Sequence, residues 1–164
     1  MRILGIDPGL ANTGWGVIDS IQHRSRPVSF GIIKTNKEVD QSSRIFSIAE
    51  QIAKISEQYD IEYCSMEDIY FTKNISSAIA VAKVIGAITY SLVKRDIPVT
   101  LYSPLQIKST ITGYGNADKK QVQEMIRLQL GLTKIPRPDH SADALAAAVC
   151  FATFNNSLER IKLK

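Results

Sequence analysis

The chain has 164 residues, 45% of them hydrophobic and 22% charged, with a formal net charge of +4. That balance describes one ordinary globular domain whose core needs no staples, and it excludes disordered, collagen-like and disulfide-scaffold chains. Cys64 and Cys150 are the only cysteines, each in an apolar stretch without a histidine at ligand spacing, so buried free thiols in a cytoplasmic protein are expected rather than a zinc site or a disulfide. No leader pattern and no apolar run near about 18 residues is read, so no membrane association is expected.

In chain order, β-rich runs at 2–7, 13–19 and 28–35, parted by Pro8-Gly9 and by the polar stretch Gln22–Pro27, predict a meander. Residues 42–59 place Ile45, Ile48, Ala49, Ile52 and Ile55 on one helical face, and 61–67 reads as a short strand. Residues 76–94 predict a helix apolar almost all round and rich in small residues. Such a helix is either wholly internal or presents its second face to a partner subunit, the alternative that suits a small domain better. A strand at 99–102 leads to Ser103-Pro104, an N-cap followed by Pro at the first helical position, with Gln106 placed to close a capping box. Helices at 118–130 and 141–158 flank the loop 131–138. This order predicts an α/β fold: a mixed five-stranded sheet, antiparallel meander plus parallel strands, with helices on both faces. Residues 1–154 are read as that domain and 155–164 as a charged C-terminal tail.

Charge is unevenly spread. Residues 1–93 carry 9 basic against 10 acidic side chains, 94–137 carry 8 against 3, and 138–164 carry 3 against 3. A basic block in an otherwise balanced domain is what a phosphate-contacting surface requires.

Carboxylates gather at element ends. Asp7 closes the apolar strand Ile3-Leu4-Gly5-Ile6, and Glu67 closes the strand that ends Cys64-Ser65-Met66. An Asp before Pro-Gly also caps turns through its own backbone, so Asp7 has a second reading. Asp139-His140-Ser141-Ala142-Asp143 opens the last helix, where both His140 and Asp139 share a face with Asp143. Asp68 is expected to point away from Glu67. Three converging sources of carboxylate repel one another unless a hard divalent cation neutralises them, which is the design of a two-metal phosphoryl-transfer site. No P-loop pattern competes.

The blocks GIDPGLANTGWGVID, SMEDIYFTKN, QIKSTITGYGNADKKQVQEMI and DHSADALAAAV, in that order and spacing, resemble the RuvC family of Holliday junction resolvases over residues 2–152. The resemblance implies an RNase H-like fold and a homodimeric, Mg²⁺-dependent crossover junction endonuclease. Such an enzyme makes paired symmetric cuts in four-way DNA during recombination and repair. It implies two Mg²⁺ per subunit with Mn²⁺ as a substitute and a RuvAB-type branch-migration complex as partner, and the small residues and apolar circumference of the helix at 76–94 make that helix the expected dimer contact. Asp7, Glu67 and Asp143 fall on the family's acidic metal positions. His140 falls on the fourth, where many members carry Asp, and Asp139 is its rival as ligand. Lys108 and Lys119 match basic positions near the scissile phosphate. Tyr70 matches an aromatic that stacks on a base, Phe71 being the adjacent candidate, and Lys73 is expected on the DNA side. Two other classes compete. An actin-like sugar kinase shares the first hairpin but needs a second such domain, and a non-catalytic junction-binding module would lack the retained acids.

Overall fold

The computed structural model describes residues 1–69 and 75–162, with side chains through Asn155. Five strands, β1 (Arg2–Asp7), β2 (Asn12–Ile21), β3 (Arg24–Lys34), β4 (Tyr63–Glu67) and β5 (Val99–Tyr102), form one sheet in the order β3-β2-β1-β4-β5. The β1–β2 and β2–β3 pairs are antiparallel; β1–β4 and β4–β5 are parallel. Helices α1 (Gln41–Gln58) and α2 (Ile75–Val93) cover one face, and α3 (Pro104–Thr112), α4 (Lys119–Gln129) and α5 (Asp139–Lys162) the other. The mixed sheet with helices on both faces is what the element order predicts, and it fits the RNase H-like fold that the resemblance implies.

Two local details differ from expectation. The meander turn is only Gln22-His23, both at positive φ (48° and 65°), a tight hairpin with none of the Asn-Gly chemistry that announces one. Strand β3 therefore starts at Arg24 and carries Pro27, tolerated because β3 is an edge strand and the β2–β3 register shifts between Val17 and Ile18. The capping box of Ser103 and Gln106 forms as read, and a second one, Asp118 with Gln121, opens α4.

Side-chain alternation along β1 sorts the core. Ile3 packs with Ile107, Ile126 and Leu145 beneath α3, α4 and α5, whereas Leu4 and Ile6 pack with Ile48, Ile52, Val84 and Ile88 of α1 and α2. Helix α5 is the internal one: from Ser141 to Ala152 every residue but Asp143 is buried. It runs past residue 154 to Lys162.

Helix α2, by contrast, buries one face only, through Ala78, Val84, Ile85, Ile88, Ser91 and Leu92. Ile75, Ile79, Ala82, Gly86, Tyr90 and Val93 lie exposed at three- and four-residue spacing. The expectation of no apolar segment of spanning length needs correcting here. Helix α2 has that length and a mean hydropathy of 1.6, because Lys83 is its one charge. Its buried face nevertheless belongs to the domain core.

Helix α5 lies on a track of glycines. A Cβ at Gly5 would stand 1.9 Å from the Ala144 carbonyl oxygen, one at Gly14 2.0 Å from that of His140, and one at Gly16 2.7 Å from the Leu145 side chain. Gly5→Ala is therefore expected to lower unfolding free energy by at least about 2 kcal/mol, since the atom met is backbone and cannot rotate away. Urea denaturation measures it, and a loss below about 0.5 kcal/mol would show that α5 floats above the sheet.

Candidate active site

The parallel register Ile6↔Met66 brings the C-terminal ends of β1 and β4 side by side. Gly5 and Asp7 share one face of β1, and Ser65 and Glu67 share one face of β4; both pairs lie under α5. The α5 glycine track lowers the first turn of that helix onto the same end of the sheet. There His140 Nδ1 stands 2.6 Å from Asp7 Oδ2. Asp7, His140 and Asp143 each offer a ligand atom, all within 4.8 Å of one another, the one such group among the described residues.

The second reading of Asp7, as a cap of its own turn, finds no bond in its favour among the described residues. The turn is closed instead by the Thr13 hydroxyl on the Gly9 carbonyl (2.6 Å) and the Thr35 hydroxyl on the Leu10 carbonyl (2.5 Å). Asp68 is exposed and accepts from the Ile69 N–H, away from the cluster as its strand parity predicts.

Glu67 and Asp143 line a cleft of about 200 Å³ together with Lys108, Lys119, Ile107 and Val122. The cleft strains its acids. Burial, then the charges of Asp7 and Asp143, push the Glu67 carboxyl up to about 7, against the opposing pull of Lys108 and Lys119. Burial and Asp7 also raise Asp143. The hydrogen bond that the His140 ring donates to Asp7, and then the charge of Asp7, raise His140 despite partial burial.

Lys119 is the internal counterion, its Nζ 3.1 Å from Asp143 Oδ2 and 3.7 Å from Asp139 Oδ2. Desolvation lowers its pKa, but the bond and charge of Asp143, with Asp139 and Asp7 behind it, outweigh that loss and leave it raised. Asp139 also pairs with Arg137 and is not in the close metal-ligand group.

The residues expected at the site thus divide clearly. Asp7, His140 and Asp143 form the close group, Glu67 joins Asp143 in the cleft lined by Lys108 and Lys119, and Asp139 is paired with Lys119 and Arg137. Tyr70, Phe71 and Lys73 lie outside the described residues. Two serines escaped sequence reasoning. Buried Ser141 donates to the Gly31 carbonyl at 3.0 Å, and buried Ser65 donates to the Ala147 carbonyl at 2.7 Å, both fastening α5 to the sheet. No local signal marks a serine for such a bond. The Asp118-x-x-Gln121 box that fixes the start of α4, and so Lys119, was readable from its spacing.

A divalent cation fits this donor set. Two carboxylates and an imidazole within reach of one another, beside a third carboxyl forced toward neutrality, form a site short of positive charge.

The comparisons with known proteins identify the family. Residues 3–151 match the family model described as "Crossover junction endodeoxyribonuclease RuvC". The RuvC of Roseiflexus sp. (strain RS-1) is 40% identical over 161 residues, 98% of this chain and 96% of that protein. The RuvC of Thermosipho melanesiensis is 41% identical over 152 residues, 93% of this chain and 97% of that protein. The Thermus thermophilus RuvC structure superimposes with a TM-score of 0.89 at 30% identity, covering 96% of both chains. The same protein in complex with Holliday junction substrate gives 0.87 at 28% identity, also over 96% of each chain.

The raised Glu67 carboxyl has a stability consequence. Its folded pKa of about 7 lies above the ordinary 4.5, so the metal-free fold holds this contribution below 4.5 and loses it as pH rises through 7. Glu67→Gln is expected to raise the Tm of metal-free protein at pH 8 by about 5 °C, with the gain vanishing near pH 4. Calorimetry in EDTA checks this; equal Tm values at pH 8 would mean that the carboxylate is well solvated.

Proposed function

The chain belongs to the RuvC family of crossover junction endodeoxyribonucleases, and on that premise we propose that it resolves four-way DNA junctions in recombination and repair by metal-dependent phosphodiester hydrolysis. The observation that carries this reading is the convergence of Asp7, Glu67, His140 and Asp143 on a cleft lined by Lys108 and Lys119. The relative solved with a Holliday junction supports four-way DNA as the substrate.

Asp7, Glu67, His140 and Asp143 are the residues that would hold the metal. Two Mg²⁺ ions, or Mn²⁺ in their place, would polarise the scissile phosphate and make water a nucleophile at neutral pH. His140 would have to be neutral to offer a ring lone pair, so one of the two ring protons that the Asp7 contact favours would have to leave. Lys119, which pairs with Asp143 in the cleft, would exchange that contact for a phosphate oxygen beside Lys108 if Asp143 held a metal. Tyr70, or Phe71 next to it, and Lys73 complete the DNA side on the strength of the resemblance alone. Residues 1–154 contain every group so assigned and are taken as the nuclease domain, with 155–164 as a charged appendage.

The exposed stripe of α2 is the dimer surface in this reading. Gly86 has nothing within 4 Å of where a Cβ would stand, so a second helix can approach closely there. Two such subunits supply the two active sites that paired symmetric cuts require. A RuvAB-type branch-migration complex is the partner implied by the resemblance, and a DNA-acting enzyme with two buried free cysteines suits the cytoplasm.

Asp7→Asn is expected to lose at least about 100-fold in cleavage of a four-way junction in Mg²⁺ while binding it as well as before or better, since the change removes negative charge from a DNA-facing cleft. His140→Ala should fall similarly and Asp139→Ala far less. An active His140→Ala beside a dead Asp139→Ala would transfer the ligand to the neighbour. Wild-type protein that binds the junction but cleaves in neither Mg²⁺ nor Mn²⁺ would make this a binding module.

Ala82→Glu, placing a charge on the exposed α2 stripe, should give monomers by sedimentation and abolish paired cutting. A wild-type monomer at micromolar concentration would overturn the dimer.

A further inference from the structure

The geometry points to Ser65 as a positioning residue that sets the gap between Glu67 and Asp143, and thereby the affinity of the cleft for its metal. The inference rests on the assignment of those two carboxylates as ligands. Ser65 lies two residues before Glu67 on the same face of β4, and Ala147 lies four residues after Asp143 on α5, on the same helical face. Asp7 meets His140, whereas Gly5 meets Ala144 and Ala148, so α5 runs antiparallel to β1 and to its parallel neighbour β4. Two residues back along the strand, about 6.8 Å, and four forward along the helix, about 6 Å, therefore step almost equally away from the site. The 2.7 Å bond from the Ser65 hydroxyl to the Ala147 carbonyl spans the same strand-to-helix gap as the carboxylate pair, one level deeper.

The surroundings leave this bond as the directional element at that level. Ser65 is fully buried, and its register partner on β1 is Gly5, whose missing side chain lets α5 touch the sheet. Glycine permits the contact over a range of helix positions; a hydroxyl bonded to one carbonyl selects among them. Helical carbonyls such as that of Ala147 also accept the N–H four residues on, so losing the serine bond orphans no backbone group. A structural serine would be read in stability; a positioning serine is read in the metal.

The test uses the full chain. Mn²⁺ binding to DNA-free protein is followed by electron paramagnetic resonance, with single-turnover junction cleavage across a Mg²⁺ titration beside it. Ser65→Ala is expected to weaken Mn²⁺ binding, and to raise the half-saturating Mg²⁺, by about tenfold, the scale of lost outer-shell contacts in metal sites. Its metal-free Tm should stay within about 3 °C of wild type, and its junction affinity in EDTA within about twofold. Ser65→Cys, which keeps a weaker donor of similar size, should fall between the two and serves also if the alanine variant does not fold. Wild-type Mn²⁺ affinity in the variants overturns the proposal, as does a loss of affinity matched by a large fall in Tm. Asp7→Asn separates the two levels. If it too binds Mn²⁺ normally, the metal assignment fails; if it does not while Ser65→Ala does, the positioning role alone fails.

Discussion

The depth to which α5 sinks into the sheet governs everything else in this molecule. Glycines at 5, 14 and 16 remove side chains from two adjacent strands where the helix crosses them, and the helix answers with alanines at 144, 146, 147 and 148. With Cβ atoms in place on the sheet, the helix axis would have to rise, and close-packed interiors do not absorb such a shift without repacking. The helix carries His140 and Asp143, while Asp7 and Glu67 sit on strands that cannot follow it. That Asp7, His140 and Asp143 each bring a potential ligand atom within 4.8 Å of the others is thus a direct product of what the glycines leave out.

Gathering acids in this way works against the fold. Burial and mutual repulsion raise Glu67 and Asp143, and the ammonium that pairs with Asp143, Lys119, occupies the first turn of α4, where the helix dipole disfavours a cation. The capping box of Asp118 and Gln121 holds that turn in place, and the contacts with Asp143 and Asp139 offset the dipole. Local stability is spent so that a cationic group stands where negative charge accumulates.

Much of this was legible in the residues. Strand ends marked by Asp7 and Glu67, a helix start marked by Asp139 to Asp143, and a Ser103-Pro104 cap are local patterns with local causes, and each lies where the pattern places it. What escaped was tertiary. The hairpin at Gln22-His23 has positive φ at residues that seldom adopt it, so neighbouring strands are longer than their turn residues suggest. Of the two readings left open for the apolar helix near residues 76–94, the wholly internal one fails, since α2 leaves one face exposed, and the internal helix is α5, whose alanines are too small to advertise burial by hydropathy. Ser65 and Ala147 stand 82 residues apart, and no periodicity in either segment announces their bond.

Alternation along β1 gives this strand two duties at once. Residues 3, 5 and 7 belong to the catalytic side, under α5, and residues 4 and 6 to the side of α1 and α2. The strand therefore behaves like a reading frame of period two. Exchanging one apolar residue for another perturbs a single face, whereas removing one residue exchanges the faces of everything beyond the gap, sending the Asp7 carboxylate among aliphatic side chains and an isoleucine into the cleft. Evolution can rewrite the letters of β1 on either face almost independently, but its length is held by both faces together.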